Sequence, residues 1–97
     1  MPRPARPPPS AHSPDWPDVA CDDTTAEVAR LLALRLREAL AGRSQRSVGA
    51  LTGVDYTTIG DVLAGRVWAD LATIAKLERG LGADLWPGRG DGSRRGA

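Results

Sequence analysis

Apolar residues recur every four positions in the first half of the chain, a pattern typical of an amphipathic helix. These positions are Val28, Leu32, Leu36 and Leu40, and the opposite side carries Arg30, Arg35 and Arg37. Thr24 and Glu27 match the S/T-x-x-E capping box, in which each side chain accepts a hydrogen bond from a backbone amide of the first turn. The sequence therefore predicts a helix that begins at Thr24 and ends at Gly42.

Three shorter helices are expected after it, each preceded by a polar capping residue and followed by a glycine. The second is predicted over residues 45 to about 51, after Ser44, and the third over residues 56 to about 64, after Asp55. The fourth follows Asp70, and its apolar positions have helical spacing: Leu71, Ile74, Leu77 and Leu81. No segment alternates as a strand would. The pattern thus predicts an all-α fold, a compact bundle of four to five short helices.

The two ends of the chain differ in composition from this helical part. Seven of the eight prolines fall within the first 17 residues, and the last ten residues are mostly glycine and arginine. Neither end has enough apolar surface to offset an ordering entropy of about 1–2 kcal/mol per residue. We therefore expect a disordered Pro-rich arm over residues 1–23, a folded domain over 24–87, with Leu85 and Trp86 folded back as apolar plugs, and a flexible Gly/Arg-rich tail over 88–97.

Charge and cysteine content narrow the range of functions. The net charge is +1, so no partner is strongly favoured by electrostatics, and the single cysteine, Cys21, allows neither an internal disulfide nor a zinc site. His12 lies in the arm without a fixed catalytic partner, so we expect no enzyme activity, no cofactor and no bound metal. No run of about 18 apolar residues occurs, which predicts a soluble, cytoplasmic chain without membrane contact.

The segment from Ser44 to Trp86 carries a more specific signal. It reads SQRSVGALTGVDYTTIGDVLAGRVWADLATIAKLERGLGADLW, with two short helices joined by a turn that contains Gly53. This text resembles the phage-repressor, or XRE-like, helix-turn-helix family. The matching positions are Gln45, Val48, Gly49, Gly53, Val54, Asp55, Thr58, Ile59, Gly65, Leu71, Leu77, Leu81 and Gly82. The resemblance covers about residues 32–86 and excludes both tails.

The resemblance implies a transcriptional regulator that binds double-stranded DNA as a homodimer, with its third helix in the major groove. The residues placed at the DNA by matching position or by neighbourhood are Gln45, Arg46, Tyr56, Thr57, Thr58, Asp61 and Arg66. In this reading Tyr56, Thr57 and Asp61 face the bases, whereas Gln45 contacts a phosphate or supports a neighbouring residue. Arg46 and Arg66 hold the DNA backbone.

Four residues depart from the family pattern. Asp61 stands where a donor-rich Gln or Arg would serve better, and Gly60 lowers helix propensity by about 1 kcal/mol without adding a contact. Thr52 and Arg43 replace residues that are usually apolar in the family. These departures bear on which bases are read and leave the fold prediction unchanged.

A second hypothesis is a protein-interaction module with this fold, such as an antitoxin-like or adaptor subunit that binds DNA weakly or not at all. Its motives are the near-neutral charge, Asp61, and Trp16 in the arm as the anchor for a protein partner. Other roles also stay open at this point. Tyr56 either contacts DNA or covers the turn, and Trp68 and Trp86 either close the core or form a dimer seam.

Overall fold

The structure, a computed structural model, describes residues 6–89, which form four α-helices and one short 3-10 helix. The 3-10 helix is Pro9–His12, and the α-helices are α1 (Thr24–Leu40), α2 (Gln45–Thr52), α3 (Tyr56–Leu63) and α4 (Leu71–Leu81). Residues 6–89 contain no strand, so the all-α prediction is confirmed. Within the same residues, no helix combines the length and the apolar content needed to cross a membrane.

Helices α2, α3 and α4 begin at the capping residues that the sequence predicts. The Ser44 hydroxyl accepts a hydrogen bond from Ser47 N at 3.1 Å, and the Asp70 carboxylate accepts one from Thr73 N at 2.7 Å. Asp55 caps α3 in the same way. Since each cap satisfies one of the orphan amides of a first helical turn, short polar side chains fix these three boundaries.

Helix α1 begins at Thr24 as predicted, but its N-cap corrects the sequence prediction. Asp23, rather than Thr24, is the N-cap, and its carboxylate accepts a hydrogen bond from Ala26 N at 2.8 Å. Glu27 therefore does not close a capping box. Its carboxylate instead accepts the N–H of Cys21 at 2.9 Å and two hydrogen bonds from the Arg30 guanidinium, at 2.6 and 2.7 Å. Asp caps as well as Thr, and the aspartate one position earlier takes the role.

One apolar core joins the four helices. Its buried members are Leu32, Leu36, Leu40, Val48, Val54, Ile59, Val62, Ile74, Leu77 and Leu85. Leu85 is fully buried, as the sequence predicts, and its backbone N–H donates to the Glu78 carboxylate at 2.8 Å. Trp86 is half exposed, so its expected role as an apolar plug is wrong. Leu85, with Leu81 and Ala83 packed beside it, closes this end of the core.

The Pro-rich arm also departs from expectation, because residues 6–23 pack on the helical domain. Ser10 N donates to the Gly65 carbonyl at 3.0 Å, the Trp16 indole N–H donates to the Leu63 carbonyl at 2.9 Å, and Pro9 is buried. Arg30 of α1 donates to the Pro17 carbonyl at 3.1 Å. The expectation of disorder is thus corrected for residues 6–23. It counted apolar side chains and missed the indole donor of Trp16 and the stiff proline backbone. Residues 1–5, and residues 90–97 of the expected flexible tail, lie outside the described residues.

Candidate nucleic-acid interface

The turn between α2 and α3 sets the position of the third helix. Gly53 ends α2 with a φ of 79°, a left-handed conformation that favours glycine. A Cβ on Gly49 would lie 2.9 Å from the Val54 carbonyl oxygen, so glycine allows the turn to pass this close to α2. Thr52 holds the turn from inside, since its hydroxyl donates to the Val48 carbonyl at 2.7 Å and accepts from Val54 N at 3.3 Å. This threonine, a departure from the family pattern, thus has a structural role.

Arg43, the other replaced apolar residue, lies before α2 and caps the end of α1. Its guanidinium donates to the Leu40 carbonyl at 3.2 Å and to the Ala39 carbonyl at 3.1 Å. A cation at a helix C-terminus satisfies carbonyl groups that have no partner in the helix. Arg43 therefore stabilises the entry into α2 without lying among the residues placed at the DNA.

The first turn of α3 presents polar side chains to solvent. The Asp55 carboxylate accepts hydrogen bonds from the Thr57 hydroxyl at 2.6 Å and from Thr57 N at 2.8 Å. These two bonds, the one from the hydroxyl first, hold the pKa of Asp55 below its usual range. Because the Thr57 hydroxyl hydrogen is used by Asp55, its oxygen can only accept a further bond, and its methyl group is the other surface it offers. Asp55 is confirmed as a cap.

The side chains of Tyr56 and Arg46 are paired at the N-terminal end of α3. The Arg46 guanidinium lies over the Tyr56 ring, 4.2 Å from the ring centroid, and donates to the Tyr56 hydroxyl at 3.0 Å. Stacking of a guanidinium on an aromatic face limits the rotamers of both side chains. The pair therefore carries a positive charge that is held at the junction of α2 and α3.

Gln45 crosses from α2 to α3. A Cβ on Gly60 would lie 2.7 Å from the Gln45 side-chain oxygen and 3.5 Å from its amide carbon. The amide of Gln45 thus rests directly on the backbone of α3 where glycine leaves room. The expectation that Gly60 adds no contact is therefore wrong. The signal that pointed to it was a glycine in the middle of a short helix, at a position where glycine costs helix stability.

Asp61 and Arg66 are paired at the C-terminal end of α3. Arg66 Nε donates to the Asp61 carboxylate at 2.8 Å, and Arg66 N donates to the Asp61 carbonyl at 2.9 Å. The Asp61 side chain is 38% exposed and that of Arg66 is 62% exposed. The Asp61 carboxylate therefore orients the Arg66 guanidinium, and the pairing offsets the negative charge of Asp61. Only one of the five N–H donors of Arg66 is used in the side-chain bond.

The structure thus places six of the seven predicted residues in contacts between or within α2, α3 and the following connector. The seventh, Thr58, is half-buried on α3 and has no contact that assigns it a role. Residues 45–66 carry two arginines and two aspartates, so this segment has no net charge. In residues 6–89 no cluster of three His, Cys, Asp or Glu side chains is arranged to hold a metal ion.

Sequence reasoning did not find the support that the arm gives to α3. Trp16 donates to the carbonyl of Leu63, the last residue of α3, and its ring covers Gly65, at which a Cβ would lie 2.5 Å from the indole. A lone tryptophan among prolines was the available signal. Its hydrogen-bond partner is a backbone carbonyl, however, which no side-chain pattern reveals.

Comparison with known proteins agrees with this geometry. The family model described as Helix-turn-helix, HTH_3, matches residues 34–85. Among solved structures, the chain is similar to the restriction-modification controller protein C.AhdI from Aeromonas hydrophila. The two share 30% sequence identity with a TM-score of 0.53, and the match covers 63% of this chain and 92% of that one. A search of curated proteins found no match.

Proposed function

The chain belongs to the XRE-like helix-turn-helix family, and we propose that it regulates transcription by sequence-specific DNA binding, with α3 in the major groove. The observation that carries this proposal is the arrangement of α3. Its first turn exposes Tyr56 and Thr57, and a cation stands near each of its ends, Arg46 and Arg66. C.AhdI is named a restriction-modification controller protein, and a controlling role is the part of that name that we carry over to this chain.

Thr57 is the residue we assign to base reading. Because its hydroxyl donates to Asp55, the oxygen can accept a hydrogen bond from an exocyclic amino group of adenine or cytosine in the major groove. Its methyl group can lie against a thymine methyl. The capping bond holds the side chain in place before DNA arrives, so little conformational entropy is lost on binding.

Arg46 and Arg66 are assigned to the phosphate backbone. Each arginine spends one donor on a protein partner, Tyr56 or Asp61, and keeps the remaining donors for phosphate oxygens. Gln45 packs on Gly60 and so supports this surface. Its position at the start of α2 also assigns it a contact with the DNA backbone. Phosphate contacts fix the register of the protein on DNA and leave sequence discrimination to α3.

We further propose that two copies bind half-sites about one turn of DNA apart, because a single recognition helix buries too little surface for high selectivity. The chain then acts as a DNA-binding protein in the cytoplasm and not as an enzyme. The competing hypothesis of a protein-interaction module loses one of its motives. Trp16, its suggested partner anchor, is bonded to Leu63 within the same chain. A second of its three motives weakens too, since Asp61 is paired with Arg66, whereas the near-neutral charge of the chain still stands.

The test compares two threonines that have the same local role. Thr57 lies in the first turn of α3 and donates its N–H to Asp55, and Thr73 lies in the first turn of α4 and donates its N–H to Asp70. Duplexes bound by the wild type, Thr57→Ala and Thr73→Ala are recovered from a random pool and sequenced. We expect Thr73→Ala to select the wild-type motif and Thr57→Ala to lose preference at one position of each half-site. An unchanged motif with Thr57→Ala would refute the assignment.

A further inference from the structure

The domain has an open groove, and none of the residues assigned to DNA binding lines this groove. Its volume is about 360 Å³, and its lining includes two of the three tryptophans of the chain, Trp68 and Trp86. We call it the tryptophan groove. Leu32 and Ile74, both buried, and Val28 form its apolar floor. Small-molecule sites in proteins have this character, a concave and mostly apolar surface with a few polar groups.

Among the described residues, the charged side chains that line the groove are two arginines, Arg6 and Arg89. The Arg6 guanidinium is held in place, since it lies over the Trp68 ring, 4.0 Å from the ring centroid. The Trp68 indole N–H is itself bonded to the Pro7 carbonyl at 2.9 Å, so the arm fixes both the cation and the ring. A prepared guanidinium beside an apolar floor favours a carboxylate with an apolar body.

The size and walls of the groove restrict that ligand further. A volume near the lower end of the range for small-molecule sites admits a compact molecule of one or two rings. Trp86 is half exposed, and a flat apolar ligand would cover part of its ring and contact Trp68. We propose that the tryptophan groove binds a small planar aromatic carboxylate, with its rings against the indoles and its carboxylate at Arg6.

The groove lies next to the connector between α3 and α4. Trp68 stands between α3 and α4, two residues after Arg66, and the arm residues that reach Trp68 continue to the contacts on Gly65. A ligand in the groove would thus touch the segment that follows α3, without contact with any residue assigned to DNA.

The experiment uses the three tryptophans as separate probes. The full chain is labelled with 5-fluorotryptophan, and its three ¹⁹F resonances are assigned with single Trp→Phe variants. The probe is 1-naphthoate, and 1-naphthalenemethanol is a neutral molecule with the same rings. We expect 1-naphthoate to shift the Trp68 and Trp86 resonances in a saturable way and to leave Trp16 unchanged, because Trp16 lies against Gly65 and outside the groove. The alcohol should bind at least about tenfold more weakly.

Matched arginine variants test the role of the charge. Arg6→Gln should weaken 1-naphthoate binding about tenfold. Arg43→Gln should not, because Arg43 lies at the other end of α1. No saturable shift, equal shifts of all three resonances, or equal affinity for the alcohol would overturn the proposal. Shifts of the Trp68 and Trp86 resonances that follow protein concentration alone would assign the groove to a second copy of the chain, and would overturn it too.

Discussion

The contact between Trp16 and Gly65 provides a sharp test of the packed arm. Gly65 has a φ of 69°, and a Cβ there would lie 2.5 to 2.8 Å from three atoms of the Trp16 indole. Gly65→Ala therefore has two costs. The left-handed conformation costs an alanine about 1–2 kcal/mol, and the methyl group forces the rigid indole to move.

The second cost can be worked from what the indole does. Trp16 donates to the Leu63 carbonyl at 2.9 Å and is partly buried. Loss of the hydrogen bond costs about 1 kcal/mol. Loss of part of the packing of a large aromatic ring, about 3–5 kcal/mol when the ring is fully buried, adds about 1–2 kcal/mol here. We expect Gly65→Ala to lower the free energy of unfolding by about 3–5 kcal/mol in the wild type and by only about 1–2 kcal/mol in the Trp16→Ala background.

The assay is urea denaturation followed by circular dichroism, on the wild type, both single variants and the double variant. Gly82→Ala is the matched control, since Gly82 has a φ of 62° and nothing lies within 4 Å of a Cβ there. It should cost about 1–2 kcal/mol with or without Trp16. If Gly65→Ala costs the same in both backgrounds, the arm is not packed on Gly65, and the expectation of a disordered arm returns.

Three further changes test other parts of the account. Gly60→Ala should keep or raise the thermal midpoint, because it gains about 1 kcal/mol of helix propensity and displaces only the flexible end of Gln45, but it should weaken DNA binding severalfold in an anisotropy titration; wild-type affinity would contradict the role given to Gln45. Gly80→Ala should instead lower the midpoint, because its Cβ would lie 2.8 Å from backbone of α2, and an unchanged midpoint would refute that close approach. Glu27→Gln tests pH dependence. Hydrogen bonds from its arginine partner hold the pKa of Glu27 below its ordinary value of 4.5 despite burial, so its contribution to stability is present above pH 4.5 and is lost as pH falls through the lower folded-state pKa. Urea midpoints across pH 3–6 should therefore fall less steeply with acid in the variant than in the wild type, and parallel curves would contradict the assignment.

The sequence predicted the helical domain well because its boundaries depend on local chemistry. Ser44, Asp55 and Asp70 cap helices in the structure as the pattern indicates, since a capping bond spans only two or three residues. The cap of α1 was wrong by one residue, because Asp23 and Thr24 are adjacent residues of the same capping class. Periodicity likewise placed Leu32, Leu36 and Leu40 in the core.

The features that the sequence did not reveal depend on contacts between distant backbone and side-chain atoms. The Trp16 indole bonds to a carbonyl 47 residues away, and the Trp68 indole to one 61 residues away. Composition alone indicates a disordered arm, because it counts apolar surface and cannot detect a donor that finds a helix end. The role of Gly60 was missed for a related reason. Gly60 leaves room for the side chain of Gln45, which reaches it from α2.

The number of arginines assigned to phosphate predicts how strongly DNA binding depends on salt concentration. With two arginines in each copy assigned to phosphate, the proposed dimer would neutralise about four phosphates, and the logarithm of affinity should fall with the logarithm of salt concentration with a slope of about −3 to −4. Non-specific binding should therefore be weak, and selectivity should depend on base contacts made by α3. A slope near −8 would show that residues outside this interface carry the binding.

The most direct measurement of the central claim is the affinity of the wild-type chain for a duplex recovered by selection, against a shuffled duplex of the same composition, at near-physiological salt. The account predicts a ratio of dissociation constants of about 10³ or more, as found for sequence-reading proteins. Equal affinities for the two duplexes, both disappearing as salt rises, would contradict it, because binding would then depend on phosphate charge alone and α3 would read no sequence.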